Sequence, residues 1–587
     1  MRYGIVADAY ARLEKITGRL EMIAVLADLF RETPRDLLPK VVYLSQGKIA
    51  PDYAGVEIGL AEKLAARSVA EAVGAKGEKV LDSLRRTGDL GTTAEQLLRG
   101  KTGTRSTLDV AEVFAEFEKI AGASGKGAQA QKIDGLTNLI HHATPIEARY
   151  LVRTATGALR LGVGDATILD ALAEVYAGGR AHRAVLERAY NICSDLGLVA
   201  RTLAEGGLAA VGQIEVRPGR PVRPMLAQRL ATAADILEKL GGRCAAEYKY
   251  DGERVQVHRQ NDSFTLFSRR LERITDQYPD AVDLLRRGLG PTTAILEAEV
   301  VAIDPEEGEL RPFQELMHRR RKHGVAEAAT GNPVGLFCFD LLQLGDRDLT
   351  RLPYPQRRQA LTEAIMPSDR LRLTSSKVVG APAELDAFFE EAITDGCEGL
   401  VCKSIGPESV YQAGARGWVW IKYKRDYRTE LQDTVDLVAV GAFHGRGRRR
   451  GMYGALLMAA YDDTDDMFRT FCKVGAGFTD DDLVTLRGRL GPHEISHRPA
   501  RVDARIEPDV WFEPSLVLEI VGAEMTLSPV HTAGWGQLKP DAGLALRFPR
   551  FTGTYRDDKS PEGATTVKEI LDLYRLARER RVEPGRG

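Results

Sequence analysis

Residues 245–259 read AAEYKYDGERVQVHR, in which Lys249 lies between two tyrosines and the second tyrosine is followed by Asp-Gly. The alternation in RVQVHR predicts a β-strand, yet lysine, aspartate and glutamate are depleted in strands, so their clustering here indicates a functional site. A lysine, with a reference pKa of about 10.4, is a nucleophile at neutral pH only where burial or nearby positive charge lowers that pKa. Arg254 supplies such a charge, and the Asp-Gly turn would hold the amine beside a ligand. Lys249 is therefore a candidate nucleophile.

Three regions of different pattern divide the chain around this segment. Residues 1–215 repeat apolar side chains at helical spacing, as in DATILDALAEVYAGG, which predicts an all-α domain. A proline-rich linker then leads into residues 216–428, where strands such as AILEAEVVAID alternate with helices such as AELDAFFEEAIT and predict an α+β domain. Residues 429–587 contain short strands at a spacing of roughly 10 residues, typical of a small β-barrel, and end with a predicted helix, TTVKEILDLYRLARERR.

Composition places the chain among globular proteins of several domains. It has 587 residues, of which 44% are apolar and 28% charged, and no apolar run approaches the roughly 18 residues of a membrane span. The first residues mix acids and bases and predict no export signal, so we expect a cytoplasmic location. Six scattered cysteines lack zinc-site spacing and are interpreted as reduced, small hydrophobic residues. The net charge of -2 neither proposes nor excludes a polyanionic partner.

Further short motifs follow Lys249 in a fixed order: FSRR, ILEAEVVAID, GLFCFDLL, EGLVCK, WIKYKRDY and LRFPRFTGTYRDDKSPEGATT. Together with EYKYDGER they resemble the covalent nucleotidyltransferase superfamily, and specifically the ATP-dependent DNA ligases of the archaeal and eukaryotic replicative type. LSQGKIAPDYAGVEIGLAEK and RTATGALRLGVGD resemble the helical DNA-binding domain of that family. The resemblance implies three domains: a helical DNA-binding domain (1–215), an α+β adenylation domain (216–428) and an OB-fold β-barrel (429–587).

The resemblance assigns roles to five positions of the middle region. Lys249 would attack the α-phosphate of ATP and carry AMP in a phosphoramide bond. Glu247 would lie beside the adenine, and Arg254 beside the ribose or phosphate. Arg269 would bind the ribose and later the 5′-phosphate of a nick. Phe339 would stack on the purine, where an aromatic face contributes dispersion.

Two acidic residues, Glu299 in LEAEVVAI and Glu398 in CEGLV, are flanked by apolar residues on both sides. An unpaired buried carboxylate is very costly, so a nearby cation is expected. Mg²⁺ suits hard oxygen ligands and commonly joins a few carboxylates to substrate phosphates. We therefore predict Glu299 and Glu398 as Mg²⁺ ligands, with Glu299 also among the nucleotide-binding residues. Glu297 shares the face of Glu299, and both a supporting role and a solvent-facing position stay open for it.

Lys422 and Lys424, in RGWVWIKYKRDY, are two residues apart and would share one strand face with Trp420. Lysines so placed would neutralise the α-phosphate of ATP and lower the pKa of Lys249. The alternative is an edge strand that its lysines protect against aggregation. Arg416 resembles a family arginine that also contacts the nucleotide.

The segment RFPRFTGTYRDDK resembles the last motif of the family, which swings over ATP and helps to expel pyrophosphate. This resemblance assigns Arg550, Arg556 and Lys559 to a pyrophosphate clamp. The barrel must then move, and residues 422–433 are the predicted hinge. The alternative is a solvated charged tail.

The function implied is an ATP-dependent DNA ligase that seals nicks in replication, repair, recombination and cell division, with ATP and Mg²⁺ as cofactors. Nicked duplex DNA is the expected partner of a monomeric, nucleoid-associated protein, and a sliding clamp is left open. Basic runs at 317–324 and 445–454 would add contacts to the phosphate backbone. The alternatives are an RNA ligase or capping-type nucleotidyltransferase, against which the long helical region argues, and a non-catalytic DNA-binding scaffold.

Overall fold

The structure, a computed structural model, describes residues 1–99, 107–304, 310–311, 316, 319, 332–424, 434–445, 451–522 and 524–582. The chain divides into two compact units, Met1–Tyr423 and Lys424–Gly587. The first unit contains a helical region followed by two β-sheets, and the second unit is built mainly from strands.

The predicted all-α character of the N-terminal region is confirmed. Two of its helices begin with capping boxes, in which Asp109 and Thr144 each exchange hydrogen bonds with a glutamate three residues later. Apolar side chains of all these helices meet in one core. The α-helices of the region are α1 (Tyr3–Leu13), α2 (Arg19–Glu32), α3 (Leu38–Ser45), α4 (Glu62–Val73), α5 (Gly77–Thr87), α6 (Leu90–Arg99), α7 (Val110–Gly122), α8 (Ala128–His141), α9 (Pro145–Ala155), α10 (Asp165–Tyr176), α11 (Arg183–Cys193) and α12 (Leu196–Gly212).

The rest of the first unit contains strands and helices, as its mixed pattern predicts. Its strands are β1 (Leu226–Arg229), β2 (Cys244–Lys249), β3 (Glu253–Gln260), β4 (Ser263–Ser268), β5 (Thr293–Ala302), β6 (Val334–Leu344), β7 (Arg347–Asp348), β8 (Leu371–Leu373), β9 (Ser376–Val379), β10 (Gly399–Lys403) and β11 (Arg416–Lys424). Its helices are α13 (Ala233–Lys239), α14 (Pro279–Gly288), α15 (Tyr354–Ala364) and α16 (Pro382–Thr394).

These strands form two sheets that meet at the β2–β3 turn. One sheet has the order β1-β11-β10-β2-β9, and the other has the order β4-β3-β5-β6-β7 with β8 beside β6. In the first sheet Lys249 lies opposite Gly399 of β10, and in the second Arg254 lies opposite Glu299 of β5. The register therefore brings motifs from four separate strands to the place where the chain crosses from one sheet to the other.

The second unit contains the short strands predicted for the C-terminal region and ends with the predicted helix. Its elements are β12 (Val435–His444), β13 (Tyr453–Asp462), β14 (Met467–Val474), α17 (Asp480–Leu490), β15 (Glu494–Ile495), β16 (Val502–Asp503), β17 (Val510–Phe512), β18 (Val517–Val521), β19 (Glu524–Ser528), β20 (Gly543–Arg547), β21 (Arg550–Tyr555) and α18 (Val567–Val582). Eight strands share one sheet, in which β12 pairs with β13, β17 and β18, and β18 pairs with β21. β19 and β20 form a separate hairpin.

All six cysteines are buried and free. Within the described ranges, none of the helices combines the length and the apolar character that crossing a bilayer requires.

Candidate active site

Lys249 is the last residue of β2, and a tight turn separates it from the start of β3. Gly252 in this turn packs so closely on β5 that a Cβ atom there would collide with the carbonyl oxygen of Val300 and crowd the side chain of Glu299. The glycine is therefore required by close approach to β5. The turn thereby holds the end of β2, which carries Lys249, close to Glu299 of β5.

The ammonium group of Lys249 forms an ion pair with Glu398, which directly precedes β10. Burial alone would lower the pKa of Lys249, but the carboxylates of Glu398 and Glu299 outweigh it and raise the pKa above its ordinary value. The raised pKa of Lys249 corrects the expectation that Lys422 and Lys424 would lower it. Burial also raises the pKa of Glu299 to about 7. Negative charge around Lys249 thus dominates its environment.

Glu247 lies two residues before Lys249 and is buried in a network of polar side chains. Its carboxylate accepts hydrogen bonds from the hydroxyl of Tyr354 and from Arg358 at 3.2 Å, and it pairs with Lys403 at 2.6 Å. Lys403 also donates to the carbonyl oxygen of Phe339 at 3.0 Å and lies over the Phe339 ring. Burial lowers the pKa of Lys403 despite the nearby carboxylates. The Glu247 carboxylate and the Phe339 ring are thereby held by one lysine.

Arg254 forms two hydrogen bonds to Glu297, at 2.7 and 2.9 Å, and a third to the carbonyl oxygen of Met225 at 2.7 Å. Its guanidinium lies 5.3 Å from the centre of the Phe339 ring. Glu297 also accepts from the hydroxyl of Tyr411 at 3.0 Å. Glu297 was predicted either to support a neighbouring residue or to face solvent. Its side chain is only 1% exposed and binds Arg254, so it has the supporting position.

The other predicted nucleotide-binding residues lie directly after β4 and in β11. Arg269 is exposed in the turn after β4, where Leu271 has a positive φ of 67°. Arg416 is exposed at the start of β11, and Lys422 and Lys424 are half-buried near its end. Trp420 and Tyr423 are buried in that strand.

In the second unit, two of the three predicted clamp residues meet at one carboxylate. Asp436 Oδ2 accepts hydrogen bonds from Arg556 Nη1 at 2.5 Å and from Lys559 Nζ at 2.7 Å. Arg556 also pairs with Asp558 through two bonds, at 2.9 and 2.8 Å. Arg550 is separate from this cluster and is exposed at the start of β21.

Three family models match consecutive parts of the chain. A DNA ligase N terminus matches residues 2–173, an ATP dependent DNA ligase domain matches 224–424, and an ATP dependent DNA ligase C terminal region matches 449–559. A relative named probable DNA ligase, from Aquifex aeolicus, is 52% identical over 584 residues, which cover 99% of this chain and 100% of the relative. The chain belongs to the ATP-dependent DNA ligase family.

A further relative supports this membership, and a solved structure shares the fold. DNA ligase 2 from Thermofilum pendens is 53% identical over 98% of this ligase and 97% of its own length. The solved structure named Pmar-Lig_Pre has a TM-score of 0.57 and 17% identity over 94% of this chain and 99% of that chain. At this low identity, the structural similarity shows a shared fold alone.

Sequence reasoning missed several side chains of the ligase that the structure joins to the predicted residues. Lys403 had a signal in the sequence, because it ends the same EGLVCK motif that begins with Glu398. No sequence signal marked Tyr354, Arg358 and Tyr411, because they lie outside the motifs. Only tertiary packing brings them to the carboxylates of Glu247 and Glu297.

The prediction that the basic run at 317–324 contacts the phosphate backbone is wrong for Arg319. Its side chain is fully buried, pairs with Asp280 at 2.5 Å and donates to the carbonyl oxygen of Asn332 at 2.8 Å, so it is not presented to a phosphate backbone. The other residues of the run at 317–324 lie outside the described residues, as do 446–450 of the second run and 425–433 of the predicted hinge.

Proposed function

We propose that this ligase seals nicks in duplex DNA by carrying AMP on Lys249 between ATP and the 5′-phosphate of the nick. The observation that supports this proposal best is the position of Lys249. Its amine lies at the end of β2, where the chain crosses from one sheet to the other, and it interacts with the carboxylates of Glu398 and Glu299. Membership of the ATP-dependent DNA ligase family supports the same reaction.

In the first step, the Lys249 amine loses a proton and attacks the α-phosphorus of ATP. The new N–P bond forms as the bond between the α-phosphorus and the pyrophosphate oxygen breaks, and pyrophosphate leaves. Glu398, already hydrogen-bonded to the amine, is the nearest acceptor for its proton. The carboxylates of Glu398 and Glu299 raise the pKa of Lys249, so the amine must lose its proton before it can attack.

Glu299 and Glu398 fit a Mg²⁺ ion, because both carboxylates interact with the Lys249 amine and with each other. The described residues contain no group of three or more acidic, histidine or cysteine ligands. Two carboxylates nevertheless suit Mg²⁺, which usually retains several waters and completes its shell with substrate phosphates. When bound, the ion would supply positive charge that neutralises phosphate oxygens.

The nucleotide itself would be bound by the cluster around Phe339. We assign stacking on the purine to Phe339 and contact with the adenine to Glu247, whose carboxylate is fixed by Lys403. Arg254 contacts the ribose or phosphate, and its bonds to Glu297 keep it in place.

Four more basic residues complete this assignment. Arg416, Lys422 and Lys424 of β11 contribute positive charge for the phosphates, and exposed Arg269 binds the ribose and then the 5′-phosphate of the nick.

Two further transfers complete the reaction. The 5′-phosphate of the nick attacks the phosphorus of lysyl-AMP, which releases Lys249 and leaves AMP on the DNA. The 3′-hydroxyl then attacks the 5′-phosphate, the phosphodiester bond forms, and AMP leaves. Pyrophosphate leaves in the first step alone, so Arg550, Arg556 and Lys559 are assigned to that step as its clamp.

The domain assignment and cellular role extend the proposal. We assign DNA binding to residues 1–215, adenylation to 216–428 and an OB-fold to 429–587, because helices, two mixed sheets and a sheet of short strands follow one another in that order. Nicked duplex DNA is the partner, a monomer is the acting species, and replication, repair and recombination are the settings in which nicks need sealing.

Transfer of label from ATP tests the covalent step. The wild-type protein should retain label from α-labelled ATP and Mg²⁺, and mass spectrometry should place the added AMP on Lys249. Lys249→Ala should abolish the adduct, whereas Lys377→Ala, an exposed position of the neighbouring strand β9, should retain it. An adduct on another residue, or none in the wild type, would contradict the proposal.

Sealing of a defined substrate tests the overall reaction. Nicked duplex DNA should be joined with ATP, but not with GTP, and single-stranded RNA should not be joined. Joining of RNA would favour an RNA ligase, and duplex binding without adduct formation would favour a non-catalytic scaffold.

A further inference from the structure

Asp436, the second residue of β12, lies between two cations that come from a distant part of the chain. Its side chain is only 9% exposed, and its Oδ2 atom accepts from both Arg556 and Lys559. Thr565 fixes the same residue from the other side, because its hydroxyl accepts from the Asp436 amide at 2.9 Å and its own amide donates to the Asp436 carbonyl at 2.8 Å. The segment that follows β21 is thus folded around one aspartate.

The sheet sets this arrangement. Asp436 lies opposite Glu519 of β18, and β18 also pairs with β21, after which Arg556 follows directly. The Arg556 amide donates to the carbonyl oxygen of Val517 at 3.0 Å. Asp436 therefore reaches across one intervening strand to the two cations, and the register of three strands determines the contact.

We propose that Asp436 is a positioning residue for lysine adenylation, because it holds Arg556 and Lys559 side by side for the departing pyrophosphate. This inference rests on the proposed function, in which those two cations belong to the clamp. Two neighbouring cations repel each other and have flexible side chains, so a buried carboxylate between them lowers the cost of keeping them together. The pair is then organised before ATP arrives, which is the condition for effective stabilisation of charge in a transition state.

The exposure of the three side chains supports positioning. Arg556 and Lys559 are 23% and 32% exposed, so both remain accessible to a phosphate while Asp436 is covered. A lysine ammonium has three N–H donors, and one of them bonds to Asp436. Asp558, the other partner of Arg556, is largely exposed and is a weaker constraint.

Asp436 binds both cations through one oxygen, because Oδ2 accepts from Arg556 and from Lys559. The two donor groups are therefore held close to each other.

Asp436→Asn tests the inference, because it keeps size and an acceptor oxygen but removes the charge. The matched control is Asp462→Asn in the same unit, whose aspartate is similarly buried, at 8% exposure, and pairs with Arg469 at 2.6 Å. Three quantities are measured for each full-length variant. They are the maximal rate of lysyl-AMP formation at saturating ATP, the rate of sealing of a nick that already carries 5′-adenylate, and the unfolding midpoint.

We expect Asp436→Asn to lower the maximal rate of lysyl-AMP formation by about tenfold or more, as for loss of organised charge in other active sites. Sealing of the pre-adenylated nick, which releases no pyrophosphate, should stay within about twofold of wild type. Asp462→Asn should shift the unfolding midpoint to a similar extent and leave both rates within about twofold.

Three outcomes would overturn the inference. Adenylation by Asp436→Asn at the wild-type rate would show that the cations need no organiser, and faster adenylation would show that Asp436 competes with phosphate. Equal losses of adenylation and of pre-adenylated nick sealing would show a structural role only. Failure of the wild type to form lysyl-AMP would instead refute the proposed function, so the two failures are distinguishable.

Discussion

Glu297→Ala removes the partner of Arg254 and leaves a buried guanidinium without its carboxylate. The two side chains are 1% and 17% exposed and share two hydrogen bonds, at 2.7 and 2.9 Å. Removing one member of a buried ion pair typically costs about 3–5 kcal/mol, since the remaining charge stays desolvated. We therefore expect Glu297→Ala to lower the free energy of unfolding of the first unit by about 3–5 kcal/mol.

A surface pair of similar geometry provides the control. Arg286 and Asp283 of α14 are 2.6 Å apart but 53% and 60% exposed, so Asp283→Ala should cost no more than about 1 kcal/mol. Urea unfolding of the first unit can be followed through tryptophan fluorescence, because Trp420 is buried there and becomes exposed on unfolding. The difference between the two variants isolates the effect of burial.

A double-mutant cycle tests the pairing directly. Arg254→Met combined with Glu297→Ala removes both charges, so the double variant should lose less stability than the sum of the two single losses. A coupling free energy of about 2 kcal/mol or more is expected for contacting buried charges. Additive losses, or a cost of Glu297→Ala no larger than that of Asp283→Ala, would refute the reasoning.

Three further predictions concern other parts of the first unit. Gly252→Ala should reduce lysyl-AMP formation by about tenfold or more, because the added methyl group collides with β5 and displaces the nucleophile; adduct formation measures this. Lys403→Met should destabilise the first unit by about 3–5 kcal/mol in urea unfolding, since Glu247 loses a buried partner at 2.6 Å. Asp89, although partly buried, has a lowered pKa because Arg153 binds its carboxylate at 2.8 Å. Its contribution to stability should be present above its unfolded pKa of about 3.9 and be lost as the pH falls through the lower folded value, measured by unfolding midpoints against pH.

Each of these predictions has a contrary outcome. Wild-type adduct formation by Gly252→Ala would show that the turn tolerates a side chain. An unfolding free energy of Lys403→Met within about 0.5 kcal/mol of wild type would show that Glu247 is not constrained by that lysine. Asp89→Asn should weaken the fall of the unfolding midpoint at acidic pH. An unchanged dependence on pH would show that Asp89 does not contribute to it.

The sequence determined the order of elements and the chemical character of the site. Helical spacing of apolar residues predicted the N-terminal helices, and period-two alternation predicted strands such as β3 and β5, because each pattern reflects which face of a local element is buried. The ordered motifs around Lys249 indicated the family that the comparisons show. The individual roles assigned to the site residues stay predictions for the variants above.

Only the tertiary structure decided which charged side chains meet. Arg254 and Glu297 are 43 residues apart, and Asp436 and Arg556 are 120 apart, so strand register rather than local spacing joins them. Arg319 shows the same limit, since a run of positive charges predicted exposure while a distant aspartate allows its burial. The pKa of Lys249 also depends on carboxylates from other strands, because electrostatic energy follows distance in space and burial, neither of which a sequence contains.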